Sequence, residues 1–263
     1  MSRTNTELDG VAHLPARARF LGCEIDRLDL KATVARVEEI VASGIPSQHL
    51  AISATNVVAL REDPRLEEIA KTCAIISADG QGVVWASRLL GDPLPERVMA
   101  LDLMERLLEV AEARGYRVFI LGAKQEILEL AVARIRSRHP RLVIAGYRNG
   151  YFGTEQDQEI VTEIRESHPD MLFAAMPSPK KEYWLAEHRE ELRVPFLMGV
   201  GGGVDVIAGI TRRAPRFIQR SGFEWLYRVA QEPRRLFRRF MVGNAKFLWL
   251  LGKELVAARR SKS

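Results

Sequence analysis

The chain has 263 residues, enough for one large or two small domains with a substantial core, and its 47% hydrophobic and 28% charged residues are ordinary for a soluble globular protein. Cys23 and Cys73 fit no disulfide framework and no metal or redox spacing, and the five histidines, His13, His49, His139, His168 and His188, are scattered without a zinc pattern. The formal charge of +5 hides an asymmetry: residues 212–263 carry 14 Lys and Arg against 3 Asp and Glu, or +11, which leaves −6 on residues 1–211.

Residues 1–18 are polar, with no apolar run of signal-peptide length, and are expected to form a flexible tail. The longest apolar patches, such as 247–251, are too short to span a bilayer, so a cytosolic protein with buried thiols is expected. Periodicity predicts a strand over 19–27, a helix over 30–42, a strand over 49–53, a helix over 57–71, a strand over 73–76 and a helix over 83–90. Gly91-Asp92-Pro93-Leu94-Pro95 reads as a turn-rich connector before a long helix over 101–114. Strands over 118–121, 142–145, 171–175 and 196–200 then alternate with helices over 125–138, 155–167 and 180–190. This alternation predicts an α/β fold with a largely parallel, Rossmann-like sheet and helices on both faces.

After Val200 the alternation stops, and from Ala214 onward only helical segments are expected. Within 234–241, Arg234, Arg235, Arg238 and Arg239 fall on one helical arc and Leu236, Phe237, Phe240 and Met241 on the other. The expected organisation is a tail over 1–18, an α/β catalytic domain over 19–211 and a basic helical appendage over 212–263. The apolar arc of that appendage either packs on the main domain or lies at a lipid interface.

Asp79 is the most informative acid, because it follows an apolar strand and precedes Gly80 and Gly82. A carboxylate there sits outside the carboxyl end of a strand, where open α/β sheets gather their ligands. Two roles compete: a cap on the next helix, or a general base. Gly201, Gly202 and Gly203 leave the last strand and let a ligand approach the backbone, with Asp205 placed either to accept from a ribose or to cap the next helix. Gly122-Ala123-Lys124 lacks both the full dinucleotide fingerprint and a G-K-[ST] ending.

Together, Asp79-Gly80-x-Gly82-Val83, Arg97-Val98 with Asp102-Leu103, Gly150-Tyr151-Phe152, Pro179-Lys180-x-Glu182, Gly199-Val200-Gly201, Arg213-Ala214-Pro215 and Glu224-Trp225-Leu226-Tyr227-Arg228 with Gln231-Glu232-Pro233-x-Arg235 resemble the WecG/TagA/CpsF glycosyltransferases. The resemblance runs from about Phe20 to Leu250. It implies a hexose, N-acetylmannosamine-like or related, moved with inversion from a UDP-sugar to a polyprenyl-diphosphate-linked saccharide at the inner face of the cell membrane, for surface polysaccharides. It makes Asp79 the base and Arg97 a substrate-site cation, with Ser53, Thr55, Asn56 and Lys181 as further substrate-binding candidates. Gly201, Gly202, Gly203 and Asp205 become nucleotide contacts, and Arg228, Arg235 and Arg238 become diphosphate ligands.

Guanidinium forks can stabilise a departing diphosphate, so neither metal nor cofactor is expected. An anionic membrane surface is the expected partner; nucleic acid is not, and a homo-oligomer stays open. The chain departs from the family pattern where Ala51, Ser53 and Asn56 stand around the T-x-N signature, Met99 and Ala100 follow Arg97-Val98, and Lys181 replaces a glutamine. A Rossmann-type oxidoreductase would require a complete glycine fingerprint, and a nucleic-acid binder would show steep salt dependence without nucleotide preference.

Overall fold

The computed structural model describes residues 16–260. Strands β1 (Arg17–Phe20) and β2 (Cys23–Asp26) form an antiparallel hairpin. The predicted single strand over 19–27 is therefore broken, because Leu21 and Gly22 turn the chain with φ of 53° and 72°. The buried Asp26 carboxylate ties this hairpin to the main sheet, accepting from Arg17 Nε at 2.8 Å and from the Ile76 backbone N–H at 2.6 Å.

Helix α1 (Leu30–Ser43) starts where the Asp29 carboxylate accepts from the Ala32 N–H and ends at left-handed Gly44. Strand β3 (Ser47–Ile52) follows, and the single helix expected over 57–71 is two, α2 (Ala54–Glu62) and α3 (Pro64–Thr72). Pro64 cannot donate within a helix and occupies the first turn of α3, which Asp63 caps through the Leu66 N–H. Strand β4 (Ile75–Ala78), α4 (Gln81–Leu89) and α5 (Ala100–Arg114) come next. The rest of the α/β part is β5 (Arg117–Gly122), α6 (Gln125–Arg138), β6 (Val143–Arg148), α7 (Asp157–Glu166), β7 (Met171–Ala175), α8 (Lys180–Leu192) and β8 (Phe196–Gly199).

The six main strands run parallel in the order β4-β3-β8-β7-β5-β6, with helices on both faces, as the alternation predicts. Phe119, Phe173 and Phe196 are wholly buried within it. His49 on β3 is buried too, with Nε2 at 2.9 Å from Ser77 Oγ, and burial lowers its pKa to about 3, so it is neutral. Both cysteines are buried and free, and burial pushes their thiols up to about 12, as expected of inert core residues.

Beyond β8 the chain is helical: α9 (Gly203–Ile207), α10 (Arg216–Arg220), α11 (Glu224–Gln231) and α12 (Pro233–Arg260). Helix α12 has two kinds of surface. Phe247 and Leu251 are buried in the cluster that also holds Leu50, Val57 and Val83. Gly243 lets the helix approach α2 closely, since a Cβ there would lie 2.6 Å from Thr55 Cγ2. Elsewhere, Phe237, Met241, Val242, Leu248 and Trp249 stay exposed.

Candidate active site

Strands β3, β4 and β8 are neighbours, so their carboxyl ends bring together segments far apart in sequence. The Asp79 N–H donates to the Ile52 carbonyl at 2.8 Å, and the Val98 N–H donates to the Ala78 carbonyl at 2.9 Å, which fixes Asp79 between the end of β3 and the approach to α5. Helix α4 has Gly80 at its N-cap and no side-chain cap, so Asp79 is not the cap of the helix that follows it. Its carboxylate accepts instead from the Ala100 N–H at the start of α5. Burial is the largest influence on this acid and raises its pKa above the usual carboxylate range; Arg228 opposes that, Glu224 reinforces it, and the Ala100 N–H and Arg97 oppose it more weakly.

Asp79 opens into a cleft of about 50 Å³ shared with Gly203, Arg212, Arg213, Glu224 and Arg228. The appendage forms one wall of it. A Cβ on Gly202 would lie 3.5 Å from Arg228 Nη2 and 3.6 Å from Asp205 Oδ2, so the guanidinium and that carboxylate both reach the glycine turn after β8. Gly201 takes a φ of +50°, a conformation that favours glycine. Arg97 stands beside the cleft, its Nη1 at 3.0 Å from Glu224 Oε2. Arg213 pairs with Asp102 and lies 3.5 Å from Glu105, which fastens the segment before α10 to α5.

Of the residues singled out from sequence, Asp79, Arg97, Asp205, Arg228 and the glycines Gly201, Gly202 and Gly203 are gathered at this end of the sheet. Ser53, Thr55 and Asn56 lie at the end of β3 but bond mainly to one another: Ser53 Oγ is 3.0 Å from Thr55 Oγ1 and meets the Asn56 amide oxygen. Thr55 also faces Gly243 of α12. Lys181 lays its stem along Gly199 and pairs with the buried Glu182, and it does not line the Asp79 cleft. Arg238 is exposed on α12 and does not line the cleft, and the Arg235 side chain lies outside those described. Sequence reasoning assigned no role to Glu224, Arg212 or Arg213. Two of these stand in the quoted motifs, at Arg213-Ala214-Pro215 and Glu224-Trp225, which was the available signal. Among the described residues no three His, Cys, Asp or Glu side chains group as a metal site, and no helix is long and apolar enough to cross a membrane.

Comparison with known proteins supplies the family. The sequence pattern described as "Glycosyl transferase WecG/TagA/CpsF family" matches residues 18–261. A Staphylococcus aureus protein is 31% identical over 226 residues, which cover 85% of this chain and 88% of that one. A Bacillus spizizenii protein is 35% identical over 174 residues, or 66% of this chain and 67% of that one. Both are named N-acetylglucosaminyldiphosphoundecaprenol N-acetyl-beta-D-mannosaminyltransferase.

Proposed function

Since the chain belongs to the WecG/TagA/CpsF family of glycosyltransferases, we propose that it moves a hexose, N-acetylmannosamine or a related sugar, from a UDP-sugar to a saccharide carried on a polyprenyl diphosphate. The observation that carries this reading is one shared cleft in which the Asp79 carboxylate faces the Arg228 guanidinium. The acceptor hydroxyl oxygen forms a bond to the anomeric carbon as that carbon's bond to the phosphate oxygen breaks. The hydroxyl proton passes to Asp79, and UDP departs with the bonding electron pair. One displacement inverts the anomeric configuration.

Negative charge grows on the leaving diphosphate, and guanidiniums held in place can meet it without reorganisation. Arg228 is the first such group, with Arg212 and Arg213 beside it in the cleft and Arg235 and Arg238 on α12 as further candidates. Gly201, Gly202, Gly203 and Asp205 are candidate nucleotide contacts, and Ser53, Thr55, Asn56, Arg97 and Lys181 candidate contacts to sugar and acceptor. The cleft of about 50 Å³ is smaller than a sugar nucleotide, and α11 forms one of its walls through Glu224 and Arg228. Turnover of UDP-hexoses with a lipid-diphosphate saccharide analogue in the presence of EDTA tests the whole reading. Release of UDP with an inverted product is expected; a retained configuration, or transfer that requires added metal, contradicts it. Arg228→Ala is expected to weaken UDP binding roughly ten- to hundredfold, the worth of a hydrogen bond to a charged group, and unchanged affinity in calorimetry would remove Arg228 from the diphosphate site.

The same reading places the protein on the inner face of the cell membrane as a peripheral enzyme. Phe237, Met241 and Trp249 are exposed on the basic helix α12, and Lys253 Nζ lies 5.5 Å over the Trp249 ring. Aromatics and cations on one helix are the components of interfacial binding to anionic lipid. Trp249→Ala is expected to reduce co-sedimentation with phosphatidylglycerol vesicles and to leave UDP affinity unchanged; equal sedimentation of mutant and parent would place the lipid contact elsewhere.

A further inference from the structure

A carboxylate beside a diphosphate site needs an explanation, because it repels the substrate. Glu224 is such a group, and with Asp79 it is one of the two acids lining the described cleft. It stands in the first turn of α11, where no side chain caps the helix. Its partner is Arg97, 3.0 Å away, and the two side chains are 14% and 15% exposed. The other acceptors of Arg97 also come from the appendage side, the Gln219 carbonyl at 3.2 Å and Gln219 Oε1 at 3.4 Å. Gln219 is itself held, its Nε2 donating to the Ala214 carbonyl at 2.7 Å.

We propose that Glu224 is a positioning residue: when α11 docks, it draws Arg97 to the appendage and offsets the guanidinium charge around Asp79, so that Asp79 remains an effective base. The charges facing Asp79 come from four places. Arg97 precedes α5, Arg212 and Arg213 precede α10, Glu224 and Arg228 lie on α11, and the Ala100 N–H opens α5; Asp205 of α9 reaches the same Gly202 turn as Arg228. Arg213 already has Asp102 and Glu105. Without Glu224, Arg97 and Arg228 would both favour the ionised form of Asp79 with one carboxylate fewer in the cleft to oppose them, and a carboxylate so stabilised takes up a proton poorly.

This inference rests on Asp79 being the base, and its test separates the two ideas. Carbon-13 NMR of the Asp79 carboxyl in the full chain reads its titration without turnover. Glu224→Gln keeps an acceptor for Arg97 and removes the charge, so the Asp79 midpoint is expected to fall by about half a unit or more. The acid limb of the kcat/KM profile should move the same way, and kcat on the alkaline plateau should drop roughly three- to tenfold with little change in KM for the donor. Glu224→Asp, which restores the charge, should recover much of both. Superimposable titrations of parent and Glu224→Gln overturn the proposal and leave Glu224 a structural tie. A titration that moves while Asp79→Asn still turns over normally overturns the base reading, and this inference with it.

Discussion

Asp79→Asn is expected to fold and bind UDP like the parent and to transfer sugar roughly two to four orders of magnitude more slowly, the usual worth of a positioned base. The asparagine amide has the shape of the carboxylate and can still accept from the Ala100 N–H, so the entry to α5 is preserved. It cannot take the acceptor proton. Steady-state turnover with a lipid acceptor analogue measures the loss, and near-normal kcat in a folded mutant would remove Asp79 from the mechanism. The same substitution should raise the unfolding temperature at neutral pH. The folded chain raises the Asp79 pKa, chiefly by burial, so the folded state binds the proton more tightly than the unfolded state does. The stability this provides is complete below the unfolded value and is lost as pH rises through the folded one, so at pH 7, well above the unfolded value, the acid is a net cost that asparagine removes.

Phe247→Ala is expected to cost about 3–5 kcal/mol of stability, the range for removing a buried phenylalanine. Its ring is 4% exposed, lies against Gly82 at the start of α4, and belongs to the cluster that holds β3 and α2. The distal part of α12 is thus joined to the α/β core, with Lys246 reaching Glu62 at 2.6 Å and the Leu21 N–H reaching Glu254 at 3.1 Å. A chain ended near Ile210 is accordingly expected to expose this cluster and lose stability as well as activity. Urea unfolding of Phe247→Ala beside Trp249→Ala, whose side chain is 65% exposed, separates packing from surface effects. Equal midpoints for the two mutants would mean that α12 is not docked through Phe247.

The sheet was legible in the sequence because strands such as β5, β7 and β8 are short apolar runs, the mark of strands covered on both faces. The break at Leu21 was not, since a positive φ at leucine leaves no trace in the residue type; Gly22 beside it was the available turn signal. Asp63-Pro64 was a readable stop between α2 and α3, overridden by the helical spacing on either side. At the site, Asp79 stood out as a lone acid closing an apolar run. What it bonds to did not, because the Ala100 N–H and Glu224 come from other parts of the chain. Arg228 lines the cleft while Arg238 is exposed on α12 and does not, and no local pattern distinguishes one arginine from the other in a basic tail.

The pairing of β3 with β8 carries a consequence for how the molecule comes into being. Ser47 lies opposite Phe196, so the central seam of the sheet joins an early strand to the last one, whereas β3 and β4 are joined through a much shorter stretch. A ribosome must deliver β8 before that seam can close, and Arg228 and Phe247 arrive later still. Closing a loop of that length precedes its reward in contacts, which makes such pairings slow. The carboxylate and the guanidinium that face each other across the cleft are thus assembled only after residue 228 has been made, and a nascent chain carries the base long before it carries the means to bind a diphosphate.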